Sequence, residues 1–104
     1  MRTMWLEVCN LDAFPAGTVR TLRVEDISIA VFHLADHRLF AIEDRCPHRG
    51  ALLSRGLIYH TDKVACLDHG WSVRLTDGAV EPPERGCVRT FEVMVDAGAV
   101  KVKL

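Results

Sequence analysis

The chain has 104 residues, 49% of them hydrophobic, and a formal net charge of −1. That is the length of one domain, 1–104, with enough apolar side chains to bury a core, which excludes a disordered segment. The near-zero charge gives no general attraction for nucleic acid or an anionic membrane, and no apolar run reaches the ~20 residues of a membrane-spanning helix.

In chain order, the opening Met1-Arg2-Thr3-Met4-Trp5-Leu6-Glu7 lacks the apolar stretch of a signal peptide. The expected compartment is therefore cytoplasmic, where thiols stay reduced. Residues 5–9 read as a strand with Glu7 facing outward. Residues 10–17, with Asp12, Pro15 and Gly17, read as a loop. A second strand covers 18–24, with Leu22 and Val24 on one face. Glu25-Asp26 is a tight connection. Residues 27–34 form a third strand, apolar on nearly both faces like the centre of a sandwich. Residues 35–38 turn the chain, and 39–43 return antiparallel. His33 reads as a packed or hydrogen-bonded residue, and His37 and His60 as solvated turn residues.

Further along, 51–54 has the length of a single helical turn, and 55–59 leads into a short strand. His60-Thr61-Asp62 is a turn. Residues 72–75 alternate strictly, and Asp77-Gly78 is a strong turn signal. Residues 81–86, with Pro82-Pro83, form a rigid extended loop. A strand over 88–95 places Phe91, Val93 and Val95 on one face, and Val100, Val102 and Leu104 alternate with lysines in a half-buried last strand. Short strands, regular turns and no helical period predict an antiparallel all-β sandwich or barrel. Cys9 and Cys87 read as small buried hydrophobes.

Two stretches stand apart: Cys46-Pro47-His48-Arg49-Gly50 and, with seventeen residues between His48 and Cys66, Cys66-Leu67-Asp68-His69-Gly70-Trp71. Each supplies one thiol and one imidazole, the ligand types of a soft or borderline metal site. A glycine follows each histidine, where a backbone bending round an inorganic group needs positive φ or close approach. Cys46, His48, Cys66 and His69 suit either tetrahedral zinc or a [2Fe–2S] cluster with two cysteines on one iron and two histidines on the other. Zinc fingers usually pair cysteine with cysteine first. Here each half is mixed, which favours the cluster. No nucleophile–base pair and no phosphate-binding glycine loop accompanies the site, so the domain alone is expected to carry electrons rather than to make bonds.

These motifs resemble the Rieske [2Fe–2S] family over nearly the whole chain. The resemblance implies a Rieske-type β-sandwich with two cluster-binding loops and a proline-rich covering loop, here at Pro82-Pro83. Leu53-Ser54-Arg55-Gly56-Leu57-Ile58, His69-Gly70-Trp71 with Leu75-Thr76-Asp77-Gly78, and Gly86-Cys87-Val88-Arg89-Thr90-Phe91 are similar to the small subunit of assimilatory NAD(P)H-dependent nitrite reductase. That likeness implies an electron-transfer subunit in nitrate assimilation, partnered by a large flavin- and sirohaem-containing subunit. Asp68 departs from the family, where proline-leucine often separates the second cysteine from its histidine. The alternatives are the ferredoxin of an aromatic-ring-hydroxylating dioxygenase, working with a ferredoxin reductase and a terminal oxygenase, and a zinc-stabilised interaction module.

The resemblance also implies a low reduction potential. High-potential relatives carry a disulfide between the loops and a serine after the second His-Gly, where this chain has Ala51, Asp68 and Trp71. The loops are expected to meet at one end in an apolar tip of Pro47, Leu67, Trp71, Pro82 and Pro83. Arg49, Asp68 and Arg85 would surround that tip.

Overall fold

Alternating side chains and positive-φ turns fold the chain into antiparallel strands throughout. The computed structural model describes residues 4–47, 50–68 and 70–104. Its strands are β1 (Trp5–Asn10), β2 (Thr18–Val24), β3 (Ile27–His33), β4 (Leu39–Glu43), β5 (Leu57–Tyr59), β6 (Lys63–Ala65), β7 (Ser72–Arg74), β8 (Thr90–Asp96) and β9 (Ala99–Lys103). One sheet runs β1-β9-β8-β4-β3-β2, and a smaller one β5-β6-β7. Short 3-10 turns cover Leu11–Ala13 and Leu53–Arg55. No helix of the described residues is long and apolar enough to cross a membrane.

The hairpins are tight because their corners take left-handed backbone. Glu25 (φ 56°) joins β2 to β3, and His60 and Thr61 (φ 47° and 66°) join β5 to β6. Two successive positive-φ residues match the twist of an antiparallel pair.

Two cores result, and β3 lies between them. Its odd-numbered residues Ile29 and Val31 face a core that also holds Phe14, Ala41, Phe91, Val100 and Val102. All six strands of the large sheet contribute to that core, so the sheet curls around it. The even-numbered Ala30 and Phe32 face a second core with Leu34, Ile42, Leu53, Val64, Val73, Leu75, Val80 and Val88. This second core glues the small sheet to the large one, and both motif cysteines belong to it.

The expected strands are all present, with four differences. The helical turn falls at Leu53–Arg55, later than 51–54. The eighth strand starts at Thr90 rather than 88, because Val88 is engaged with the Gly78 carbonyl instead. Val95 is 44% exposed, although its partner on β9, Val100, is fully buried. Cys87 is exposed, not buried. Its neighbour Val88 takes the inward position, and alternation turns Cys87 out. Cys9 is half-buried against the first core as expected. His33 is buried, with Nδ1 2.7 Å from the Phe14 carbonyl, while His37 and His60 are exposed turn residues.

Candidate metal centre

The two motif loops are built alike. In the first, the Gly50 amide donates to the Cys46 carbonyl (2.8 Å) and the Cys46 amide to the Ala51 carbonyl (2.7 Å). In the second, Gly70 donates to Cys66 (2.8 Å) and Cys66 to Trp71 (2.7 Å). Each glycine is left-handed, at φ 74° and 72°, a conformation that any Cβ would strain. Position by position, Cys46 matches Cys66 and Gly50 matches Gly70. His48 then falls opposite Asp68, and Arg49 opposite His69. In sequence, the histidine therefore falls one position later in the second loop.

Both cysteines sit at the base of their loops with 1% and 2% exposure, in one core, and neither forms a disulfide. His48, Arg49 and His69 lie outside the described residues, as does any grouping that depends on them.

The surrounding chain holds the loops together. Asp44, buried just before the first loop, accepts the Ser54 amide and hydroxyl, each at 2.7 Å. That contact ties the loop's entrance to the 3-10 turn at its exit. Gly56 then passes so close to β6 that a Cβ there would stand 2.4 Å from the Ala65 carbonyl oxygen. The exit of the first loop therefore rests on the strand that enters the second.

The proline-rich loop closes the other side: a Cβ on Gly86 would stand 3.3 Å from Pro47 Cβ, and Glu81 donates its amide to the Ser72 carbonyl. The three loops converge as expected. Pro47, Leu67, Pro82 and Pro83 are exposed there, whereas Trp71 packs back against the core. Ser54 and Gly56 lie in the run that carries the family likeness, but nothing local tells what they, or Asp44, touch. Their role comes from positions ten residues apart meeting in space.

The family model of the Rieske [2Fe–2S] domain matches residues 4–92. The chain belongs to the Rieske family. Over 98% of its length it is 34% identical to Ferredoxin CarAc of Metapseudomonas resinovorans, covering 95% of that protein. It is 37% identical over 70 residues to subunit alpha 2 of the terminal oxygenase component of terephthalate 1,2-dioxygenase from Comamonas, but spans only 17% of that protein's length. Among solved structures, the complex of reduced oxygenase and oxidized ferredoxin in carbazole 1,9a-dioxygenase contains a chain that matches at TM-score 0.84 and 33% identity. That match covers 94% of this chain and 91% of the other. A structure described as an NADH-dependent nitrite reductase small subunit from Mycobacterium tuberculosis matches at TM-score 0.87. It covers 100% and 97% of the two chains at 23% identity, a likeness of fold.

As a Rieske domain, the chain transfers electrons through a Rieske-type [2Fe–2S] cluster. The site suits that group. Two buried thiols, neither in a disulfide, stand at the bases of two loops with the same hydrogen-bond pattern.

Proposed function

We propose that Cys46 and Cys66 hold the buried iron of the cluster and His48 and His69 the outer one, and that this single domain, 1–104, serves as the small subunit of an assimilatory NAD(P)H-dependent nitrite reductase. Bound there, the cluster would accept and release one electron at a time. The chain itself makes no bonds, and reduction of nitrite belongs to the large flavin- and sirohaem-containing subunit.

The chain's own residues do three things in this reading. Leu53, Val64, Val73 and Val88 keep water from the thiolate side. The paired loop hydrogen bonds fix both cysteine backbones, so the site needs little rearrangement as charge changes. Pro47, Leu67, Pro82 and Pro83 leave the opposite side open to a partner. With Ala51 and Asp68 in place of bridging cysteines and Trp71 in place of a serine donor, the potential is expected to be low.

The observation that carries the nitrite reductase assignment is where its sequence likeness falls. Leu53 and Gly56 pack beneath the first loop, Gly86 brings the covering loop against Pro47, and Val88 lies in the same core as the cysteines. The likeness thus lies in the residues that shape the site. A second reading, the ferredoxin of a ring-hydroxylating dioxygenase, is favoured by the 34% identity over nearly the full length of CarAc.

Reconstitution separates them. Nitrite reduction driven by NAD(P)H should need this chain in addition to the large subunit. If the large subunit works equally well without it, and a terminal oxygenase accepts its electrons, the ferredoxin reading replaces the first.

A further inference from the structure

Among the described residues, Asp44 is the one buried carboxylate. It stands two residues before Cys46 and donates its amide to the Ser28 carbonyl at 2.8 Å. Its two oxygens accept the Ser54 amide and the Ser54 hydroxyl, each at 2.7 Å. Both donors are neutral. Other carboxylates are placed differently: Asp36, Asp62, Asp77, Glu81, Glu92 and Asp96 each meet a lysine or an arginine. Asp44 forms no ion pair among the described residues.

The charged groups around it are Asp26, Glu43 and Arg45, which line one depression with it, and Arg23 and Arg55, which line another. All three arginines are exposed, where water and salt screen their charge. Arg23 is also turned toward the Glu25 carbonyl. Asp26 is exposed and Glu43 half-buried, and both add negative charge rather than offset it. Hydrogen bonds alone therefore hold the Asp44 carboxylate in place beneath the entrance to the first loop, and they do so without cancelling its charge.

We propose that Asp44 sets the reduction potential: its buried negative charge lowers the potential by opposing the electron that reduction adds. A [2Fe–2S] core with two thiolates and two neutral imidazoles carries no net charge when oxidised and one negative charge when reduced. A fixed negative charge nearby leaves the first form almost untouched and destabilises the second. Consecutive Cα atoms lie about 3.8 Å apart, so those of Asp44 and Cys46 are within about 8 Å of each other. At an effective dielectric constant of about 20 and a separation of about 10 Å, a unit charge shifts a one-electron equilibrium roughly tenfold. The same charge in bulk water would act about four times more weakly, so burial matters as much as proximity. The proposal rests on Cys46 as a cluster ligand and holds for either complex considered above.

The test measures the midpoint potential of the cluster-loaded chain by voltammetry. Asp44→Asn keeps the shape and an acceptor for the Ser54 amide but removes the charge. Its midpoint should rise by about 59 mV, the one-electron equivalent of a tenfold change. Ser54→Ala loosens the same contact and keeps the charge, so its midpoint should stay at or below that of the wild type. Asp26→Asn removes an exposed charge from the same depression. Any shift it causes should vanish at about 1 M salt, whereas the shift in Asp44→Asn should persist. An Asp44→Asn midpoint at or below the wild-type value, with a native visible spectrum, would overturn the proposal and leave the ligand set standing. An equal rise in Ser54→Ala would overturn it as well, since the shape of the loop and not the charge would then set the potential. A wild-type chain that takes up no Rieske-type cluster would remove Cys46 from the ligand set and the proposal with it.

Discussion

Asp44 is buried at 4% exposure, and Ser54 occupies both of its oxygens. Hydrogen bonds to a charged acceptor stabilise more than neutral ones, so Asp44→Ala should cost about 2–3 kcal/mol in urea unfolding. Asp44→Asn should cost less, since one acceptor remains. Because these bonds close the first loop, the alanine variant should also lose its cluster sooner on storage, followed by visible absorbance. The cysteines divide cleanly. Cys46→Ser or Cys66→Ser should abolish the native spectrum and lower stability, because metal binding is coupled to folding. Cys9→Ser and Cys87→Ser should keep the spectrum, the first being packed away from the site and the second exposed. A native spectrum in Cys66→Ser would remove it from the ligand set.

At the scale of elements, β3 is the informative strand, because its two faces serve different cores. Phe32→Ala and Ile29→Ala should each cost about 3–4 kcal/mol, the usual penalty for emptying a fully buried site. Only Phe32 shares a core with the cysteines, so only its replacement should also disturb the cluster's circular dichroism.

The turn after β7 gives a pH signature. Asp77 is held below its ordinary pKa, chiefly by the side-chain hydrogen bond from Arg74 and then by the Ala79 amide. A carboxylate depressed in the folded state stabilises above its unfolded pKa, and that contribution is lost as pH falls through the folded value. Asp77→Asn should therefore be less stable than wild type at neutral pH, with the difference shrinking as pH falls through the ordinary carboxylate range and lost below the depressed folded pKa of Asp77. Parallel thermal melts across that range would show it.

For the whole molecule, the division into two cores implies uneven dependence on the cofactor. One core contains Cys46 and Cys66, and the other contains neither. Without the cluster, two buried thiols and the two loops above them lose the group that holds them. Removing it should raise hydrogen exchange in β5–β7 and both loops, while amides of β8 and β9 stay protected. Uniform loss of protection would mean that the cores unfold together. The small sheet has three-residue strands and leans on the loops for its remaining contacts, which is why it should respond first.

Much of this was legible from local pattern. Strand order along the chain, the turns at Asp77-Gly78 and His60-Thr61, the burial of β3 on both faces and the chemistry of the C-x-H and C-x-x-H motifs follow from short-range spacing. Side-chain alternation, turn preferences and ligand type are local properties. Cys87 shows where that stops. As a small sulfur-bearing residue it looks buried in sequence, and only the inward seat of Val88 turns it out. The same limit hides the Asp44–Ser54 tie and the close passage of Gly56 over β6. Each depends on residues distant in the chain being brought together, and no short window contains that information. The sequence by itself determined what kind of group the loops can hold. Tertiary packing decided that the loops share one hydrogen-bond pattern and that their cysteines share one core, because only the folded sheets set those distances.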